Sequence, residues 1–325
     1  MARYLLRRVL FLLLTLLVTS LIVFAVTQLL PGDVCRVILG REVGADALAA
    51  CRERLGLNDP VVTQYVRWLG DFIQGDWGES FSTRSDIRPL VIERVSNSLR
   101  LALVTMVIAV PLAVFLGVIA GLNAGRPVDS VISIGSLAVV GLPEFVTGLV
   151  LIELFAFRLN GWLQQRFGIS PFRANSSVRP DASFAEALPM LVLPALTATL
   201  VLLAYIARLT RAGVVEELRR PYVRTAVLKG LPRRTVVVRH VLRNALMPTI
   251  TVVAISFGWL ISGLIVIENV FNYPGLGRLL LFAIDRRDLP VLQAVTMVTV
   301  LGFALANLVA DLLYAWLNPR IRLGG

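Results

Sequence analysis

The chain has 325 residues, 57% of them hydrophobic, with 32 Lys and Arg against 21 Asp and Glu, a formal net charge of +11. A mean hydropathy of +0.78 excludes a soluble globular domain of this length, and nothing alternates with the period of two that a membrane β-barrel needs. The basic residues flank apolar runs instead of interleaving with aromatic residues on a polar surface, which excludes a nucleic-acid groove and leaves membrane topology and anionic lipid headgroups as their use.

A bilayer core takes roughly 20 apolar residues per helix, and about six stretches qualify: Val9 to Leu30, Ser98 to Leu122, Ser130 to Phe157, Ala187 to Leu209, Met247 to Ile267 and Leu289 to Leu317. The predicted fold is an all-α, multi-pass membrane protein. The first stretch, 1–30, opens with Arg3, Arg7 and Arg8, which hold the amino end inside. It is too long for a signal-peptide core and no small-residue cleavage site follows, so it reads as an uncleaved helix. Counting spans then places both termini in the cytoplasm, with Arg320 and Arg322 of the tail 318–325 on the same side.

Residues 31–97 fall outside and carry no basic excess. Cys35 and Cys51, the only cysteines, suit a disulfide staple on the oxidising face, worth roughly 3 kcal/mol by loop entropy. Two buried free thiols are the competing reading. With no neighbouring His and no C-x-x-C spacing they do not make a metal site. Further on, "NDPVVTQYVRWLGDFIQGDWG" predicts a surface helix with Asn58 or Asp59 as cap and Pro60 at its first position. Val61, Val62, Tyr65, Leu69, Phe72 and Ile73 would form its apolar face, and Gly75 its end. The segment therefore reads as partly folded.

Residues 98–317 hold the remaining spans. Ionisable groups at membrane depth are functional candidates. Glu144 follows the helix-breaking Pro143, and Gly141 and Gly148 are spaced to share a face near it. Glu144 either faces a water-filled path or caps backbone freed by Pro143. After the fifth span, "VIENVFNYPGLGR" predicts an outer turn that shapes a gate, with Pro274 and Gly275 bending the chain and Glu268 and Tyr273 as candidate cargo contacts.

The loop 208–248 holds Arg208, Arg211, Arg219, Arg220, Arg224, Lys229, Arg233, Arg234, Arg239 and Arg243 against two acids, Glu216 and Glu217. Such a basic excess places it in the cytoplasm. Pro221 opens a short helix that Gly230 and Pro232 stop, with Val223, Ala226, Val227 and Gly230 on one face and Arg220, Arg224 and Lys229 on the others. A helix of this kind between two spans is a rigid knob that passes force to both. A lipid-surface helix is the alternative, but the apolar face is narrow and suits a groove better than insertion.

These residues resemble the EAA loop of ABC-importer permeases, in the form carried by peptide and nickel uptake systems. "YVRTAVLKGL" and "RHVLRNALMP" carry the likeness. Arg224 stands where the general pattern has Glu, Ala226 and Gly230 match it, and Leu242–Arg243 replaces a Leu-Pro, departures typical of the peptide branch. "RYLLRRVL", "LLPGD", "GDWGESF", "GLPEF", "VIENVFNYPGLGRLL" and "ANLVADLLYAWLNPRIR" extend the resemblance in order along nearly the whole chain.

The resemblance implies a permease subunit of an importer in the bacterial plasma membrane, moving oligopeptides or dipeptides. It implies a heterodimer with a second homologous permease, two cytoplasmic ATPase domains that bind ATP and Mg, and an extracytoplasmic peptide-binding lipoprotein. The ATPases would receive the coupling helix through Pro221, Tyr222, Val223, Arg224, Thr225, Ala226, Lys229, Gly230, Leu231, Arg233 and Arg234. This chain itself has no phosphate-cradling G-x-x-x-x-G-K-[ST] sequence, and His240, its only histidine, has no nucleophile in its local motif. No cofactor and no catalytic role are expected of it. Nickel chelates or another small solute are alternative cargoes. An ion-coupled secondary transporter would show paired intramembrane charges and inverted repeats, and loss of transport on mutating Gly230 or Arg224, with the protein still in the membrane, would exclude a recruiting scaffold.

Overall fold

A computed structural model describes residues 2–29, 34–40, 43–54, 56–179 and 182–317. The tail with Arg320 and Arg322, and Pro31 to Asp33 of "LLPGD", lie outside the described residues. Helices account for nearly all regular structure, and no strand occurs among the described residues. The chain divides into two compact units, Met1–Asn97 with Gly275–Leu305, and Ser98–Pro274 with Ala306–Gly325.

The first unit contains α1 (Ala2–Leu29), α2 (Val34–Leu39), α3 (Ala45–Arg54), α4 (Val61–Gln74) and the start of α5 (Ile87–Leu122). After Arg7 and Arg8, α1 is an apolar run of span length. α4 packs on it through Phe24, whose ring lies 5.4 Å from Tyr65 and 5.7 Å from Trp68, and through a 2.8 Å hydrogen bond between Ser20 and Tyr65 hydroxyls. Aromatic contacts continue from Trp68 to Phe72 and on to a stacked Trp77. The inward face of α4 is therefore Tyr65, Trp68, Leu69 and Phe72, whereas Val61, Val62 and Ile73, expected there, point outward and are exposed. The cap also differs. Pro60 sits at the N-cap without a side-chain bond, and Asp59 instead pairs with Arg67 at 2.8 Å. Gly75 ends the helix in the left-handed conformation, φ 85°, as its sequence predicts.

The second unit holds the rest of α5, then α6 (Pro127–Val140), α7 (Glu144–Leu151), a π-helical turn Ile152–Leu159, α8 (Asn160–Phe167) and α9 (Phe184–Leu218). The loop segment follows as α10 (Pro221–Leu228), α11 (Arg233–Thr235), a second π-helical turn Val236–Val241 and α12 (Leu242–Ala245), then α13 (Met247–Gly263) and α14 (Ile265–Val270). The chain closes with α15 (Leu276–Arg286), in the first unit, and α16 (Leu289–Leu317). α9 starts with a capping box, Ser183 receiving the Glu186 amide while Glu186 receives the Ser183 amide at 2.8 Å.

α9 is the spine of the second unit. Leu191, Ala195, Ala198, Leu202 and Ile206 are buried against Leu101, Ala102, Ala109 and Ala113 of α5 and against Leu260, Leu264, Ile267 and Phe271. Small residues let the backbones meet. A β-carbon on Gly117 of α5 would stand 2.5 Å from the Ala207 carbonyl oxygen, and one on Gly121 would stand 2.7 Å from Val214 Cβ.

Among the described residues five helices are long and apolar enough to cross a membrane, and a sixth span arises if the pair Arg233–Ala245 and Met247–Ile261, bent by 50°, counts as one. Two expected spans are broken. Ser130 to Phe157 is interrupted between Val140 and Glu144, where Gly141 ends α6 and Pro143 removes an amide, so Gly141 and Gly148 share no face. Met247 to Ile267 is interrupted at Leu264.

Candidate coupling surface and path residues

The loop between α9 and α13 folds locally for stated reasons. Arg220 is extended at the N-cap of α10, and Pro221, with φ already helical and no amide to leave unpaired, occupies the first turn. At the far end the Gly230 amide bonds to the Val227 carbonyl at 2.9 Å and the Leu231 amide to the Ala226 carbonyl at 3.4 Å. This paired closure needs a left-handed residue, and Gly230 supplies it with φ +74°.

Val223 and Ala226 are the buried face of α10, seated in a small core with Val214, Val236, Val241 and Ala245. Val227, expected on that face, is instead 58% exposed beside Leu228 at 79%. The crest therefore presents Arg224, Thr225, Val227, Leu228, Lys229 and Gly230 outward, with Leu231, Arg233 and Arg234 after it. An apolar tip ringed by cations is a shape for a partner's groove. Tyr222 ties the helix down. Its hydroxyl donates to the Glu217 carboxylate, accepts from Asn244 Nδ2 at 3.0 Å and lies 3.1 Å from the His240 carbonyl oxygen. Burial, with Glu217 beside it, pushes the Tyr222 hydroxyl above the ordinary tyrosine value, so it keeps its donor proton at neutral pH. Tyr222→Phe is expected to cost about 1 kcal/mol locally, read as roughly fivefold faster amide exchange across Pro221–Leu228. Unchanged exchange there would show that the apolar base alone fixes the helix.

The knob is joined to α9 at close quarters. A β-carbon on Gly213 would lie 2.5 Å from the Ala245 carbonyl oxygen, so α9 and α12 cross backbone to backbone. The Thr210 and Thr249 hydroxyls bond at 3.1 Å between α9 and α13. Arg211 reaches α6, where its guanidinium grips both oxygens of buried Asp129, the second at 2.7 Å, while the Gly125 amide donates to the same carboxylate at 2.9 Å. Sequence reading missed Gly213, Asn244, Glu217 and the Asp129–Arg211 pair. Only an acid in the first turn of an apolar helix pointed to Asp129, and nothing pointed to its partner.

The expected path residues are dispersed. Pro143 is the N-cap of α7 and Glu144 its half-buried first residue, with no side-chain bond made across the break. Thr147 closes the turn instead, its amide donating to the Pro143 carbonyl at 3.1 Å. Gly148 packs against Phe271 and Val270 of the α14 end. Glu268 is 1% exposed and accepts a 2.6 Å bond from the Ser98 hydroxyl, and Tyr273 is fully buried, its amide donating to the Glu268 carbonyl. Within this chain both are core groups. Pro274 is buried, and Gly275 is the extended N-cap of α15. Cys35 and Cys51 are joined in a disulfide with Cα atoms 5.9 Å apart.

Among the described residues the arrangement offers an outward knob, span-length helices and no cluster of His, Cys, Asp and Glu that could hold a metal ion. Residues 113–323 match the family described as binding-protein-dependent transport system inner membrane component, and residues 1–102 match its N-terminal family. The glutathione transport system permease proteins GsiC of Salmonella paratyphi A (strain ATCC 9150 / SARB42) and Escherichia coli (strain K12) are each 37% identical over 322 residues, covering 99% of both chains. A crystal structure of an amino acid ABC transporter with histidines superposes with a TM-score of 0.51 at 16% identity, over 70% of this chain and 93% of that one. That last likeness speaks for the fold alone. Permeases of this kind work beside a second permease, ATPases and a substrate-binding protein, and hydrolysis belongs to the ATPases. The chain belongs to the binding-protein-dependent transport family, as an inner-membrane permease subunit of an ABC transporter and not an enzyme.

Proposed function

We propose that this chain is half of the translocation path of an ATP-driven importer of short peptides. The outward crest of α10, apolar at Val227 and Leu228 and cationic at Arg224 and Lys229, supports the coupling role best. Both named relatives are permeases of glutathione transport systems, which favours a peptide of about that size over a long one. In this reading both termini and the crest face the cytoplasm, and residues 31–97 face the opposite side, where a peptide-binding lipoprotein delivers cargo.

The second half of the path is a homologous permease, making a heterodimer, and two ATPase domains receive the two coupling helices. ATP and Mg reside in those domains, and this chain supplies no cofactor of its own. Nucleotide stabilises one of two states of the ATPase pair. The crest moves with its socket, and the small core beneath it carries that preference into α9 and α12. Glu144, half-buried at the break between α6 and α7, is assigned to the path, whereas the buried turn Tyr273–Gly275 belongs to the core of this chain.

Purification of the tagged chain from its native membrane tests the reading. A second permease and ATPase subunits are expected to co-purify, and to be lost when residues 221–234 are scrambled. Proteoliposomes of the complex, with the binding protein, should take up a tripeptide only with ATP. Recovery of the chain alone from intact membranes, with uptake driven by an ion gradient, would replace this reading with a secondary transporter.

A further inference from the structure

A groove of about 290 Å³ opens between α6 and α9, against Ala120 of α5. Its two ends differ in chemistry. Toward the loop end stand Arg208 and Arg211, and away from it the walls are Leu137, Val140, Ala204 and Ala207. The run from Ser133 to Val140 makes the groove about 10 Å long at helical rise. The cations are not equivalent. Arg211 is spent on Asp129, and the Ser133 and Ser136 hydroxyls turn back to Asp129 and to the Ile132 carbonyl. Arg208 is exposed, lines the groove and forms no ion pair with any described residue.

We propose that this groove binds an anionic phospholipid of the leaflet next to the coupling loop, its phosphate on Arg208 and the start of an acyl chain along Ala204 and Val140. Charge complementarity places the headgroup, since Arg208 is the unneutralised cation at one end of a slot whose other polar groups, Arg211, Ser133 and Ser136, are bonded within the protein. The flank identifies a lipid over a peptide carboxylate. Around the rest of its circumference α6 exposes Val128 (47%), Val131 (71%) and Ile134 (66%), a surface that acyl chains wet and a hydrated cargo path would not choose. The choice of leaflet rests on the cytoplasmic placement of the loop; the ligand chemistry does not.

The test is native mass spectrometry of the whole detergent-purified complex, offered phosphatidylglycerol and phosphatidylcholine with identical acyl chains. Wild type is expected to retain phosphatidylglycerol under activation that strips phosphatidylcholine. Arg208→Gln should lower that occupancy about fivefold, the worth of one interfacial arginine toward anionic lipid. Arg208→Lys should keep most of it, and Arg239→Gln, an exposed loop arginine away from the groove, should leave it unchanged. Equal phosphatidylglycerol retention by wild type and Arg208→Gln overturns the proposal. So does loss of tripeptide uptake in Arg208→Gln with lipid occupancy intact, which would assign the arginine to cargo. ATPase subunits in the same spectra report on the coupling reading separately, because the lipid occupancy is read whether or not they are present.

Discussion

Gly213→Val is expected to release the ATPase subunits from the purified complex and to abolish uptake. The reason is a distance. Even the first added carbon would stand 2.5 Å from the Ala245 carbonyl oxygen, and backbone on both sides leaves no rotamer that relieves it. α12 must move away from α9, and Val241 and Ala245 leave the core that seats α10 with it. Overpacking of this kind costs about 3 kcal/mol, but the larger effect is on position, since a coupling knob works only where its socket meets it. Ala212→Val is the control. Ala212 is exposed on the same turn, and its substitution should leave both assembly and thermal midpoint near wild type. Full ATPase retention by Gly213→Val would show that the knob does not depend on this crossing.

Asp288→Ala should open the loop around Ser80 in the first unit. Fully buried Asp288 accepts from the Ser80 hydroxyl at 2.6 Å and from the Phe81 and Ser82 amides at 3.1 and 2.9 Å. Alanine would leave two backbone amides and a hydroxyl without their acceptor, at about 4 kcal/mol for bonds to a charged group. Arg84, exposed at φ 56° in the same loop, is a ready cleavage site. Trypsin should cut after it at least tenfold faster in the variant, while the wild-type loop resists. An unchanged cleavage rate would mean that Trp77 and the neighbouring core hold the loop without the carboxylate. Asp288→Asn should fall between the two, because its amide retains one acceptor oxygen of the two in use.

Much of the membrane architecture was legible without coordinates. The span-length apolar runs of α1, α5, α9 and α16 follow from hydropathy, because a bilayer demands length and apolarity and little else. Pro221 and Gly230 set the limits of the coupling helix because one fixes φ and the other tolerates the left-handed region, both properties of single residues. Pro143 announced its break in the same way. Harder to read was which side of a helix would be covered. α4 is apolar over a broad arc, so Val61, Val62 and Ile73 looked as inward as Trp68 and Phe72 until α1 chose between them. Val227 in α10 failed for the same reason.

The sequence by itself determined the solvent of this protein, the number of apolar runs, the starts and stops of its short helices and the family pattern of the loop. Each is written in composition or in the backbone chemistry of neighbouring residues. The tertiary structure alone decided the partnerships. Asp129 meets Arg211 across 82 residues and Ser80 meets Asp288 across 208. Gly213 faces Ala245, and Glu268 is withdrawn into the core beside Ser98. Side-chain type states what bond a residue can make. Which residue it meets depends on how distant helices pack, and that is settled by the summed fit of many contacts, none of which is local in the chain.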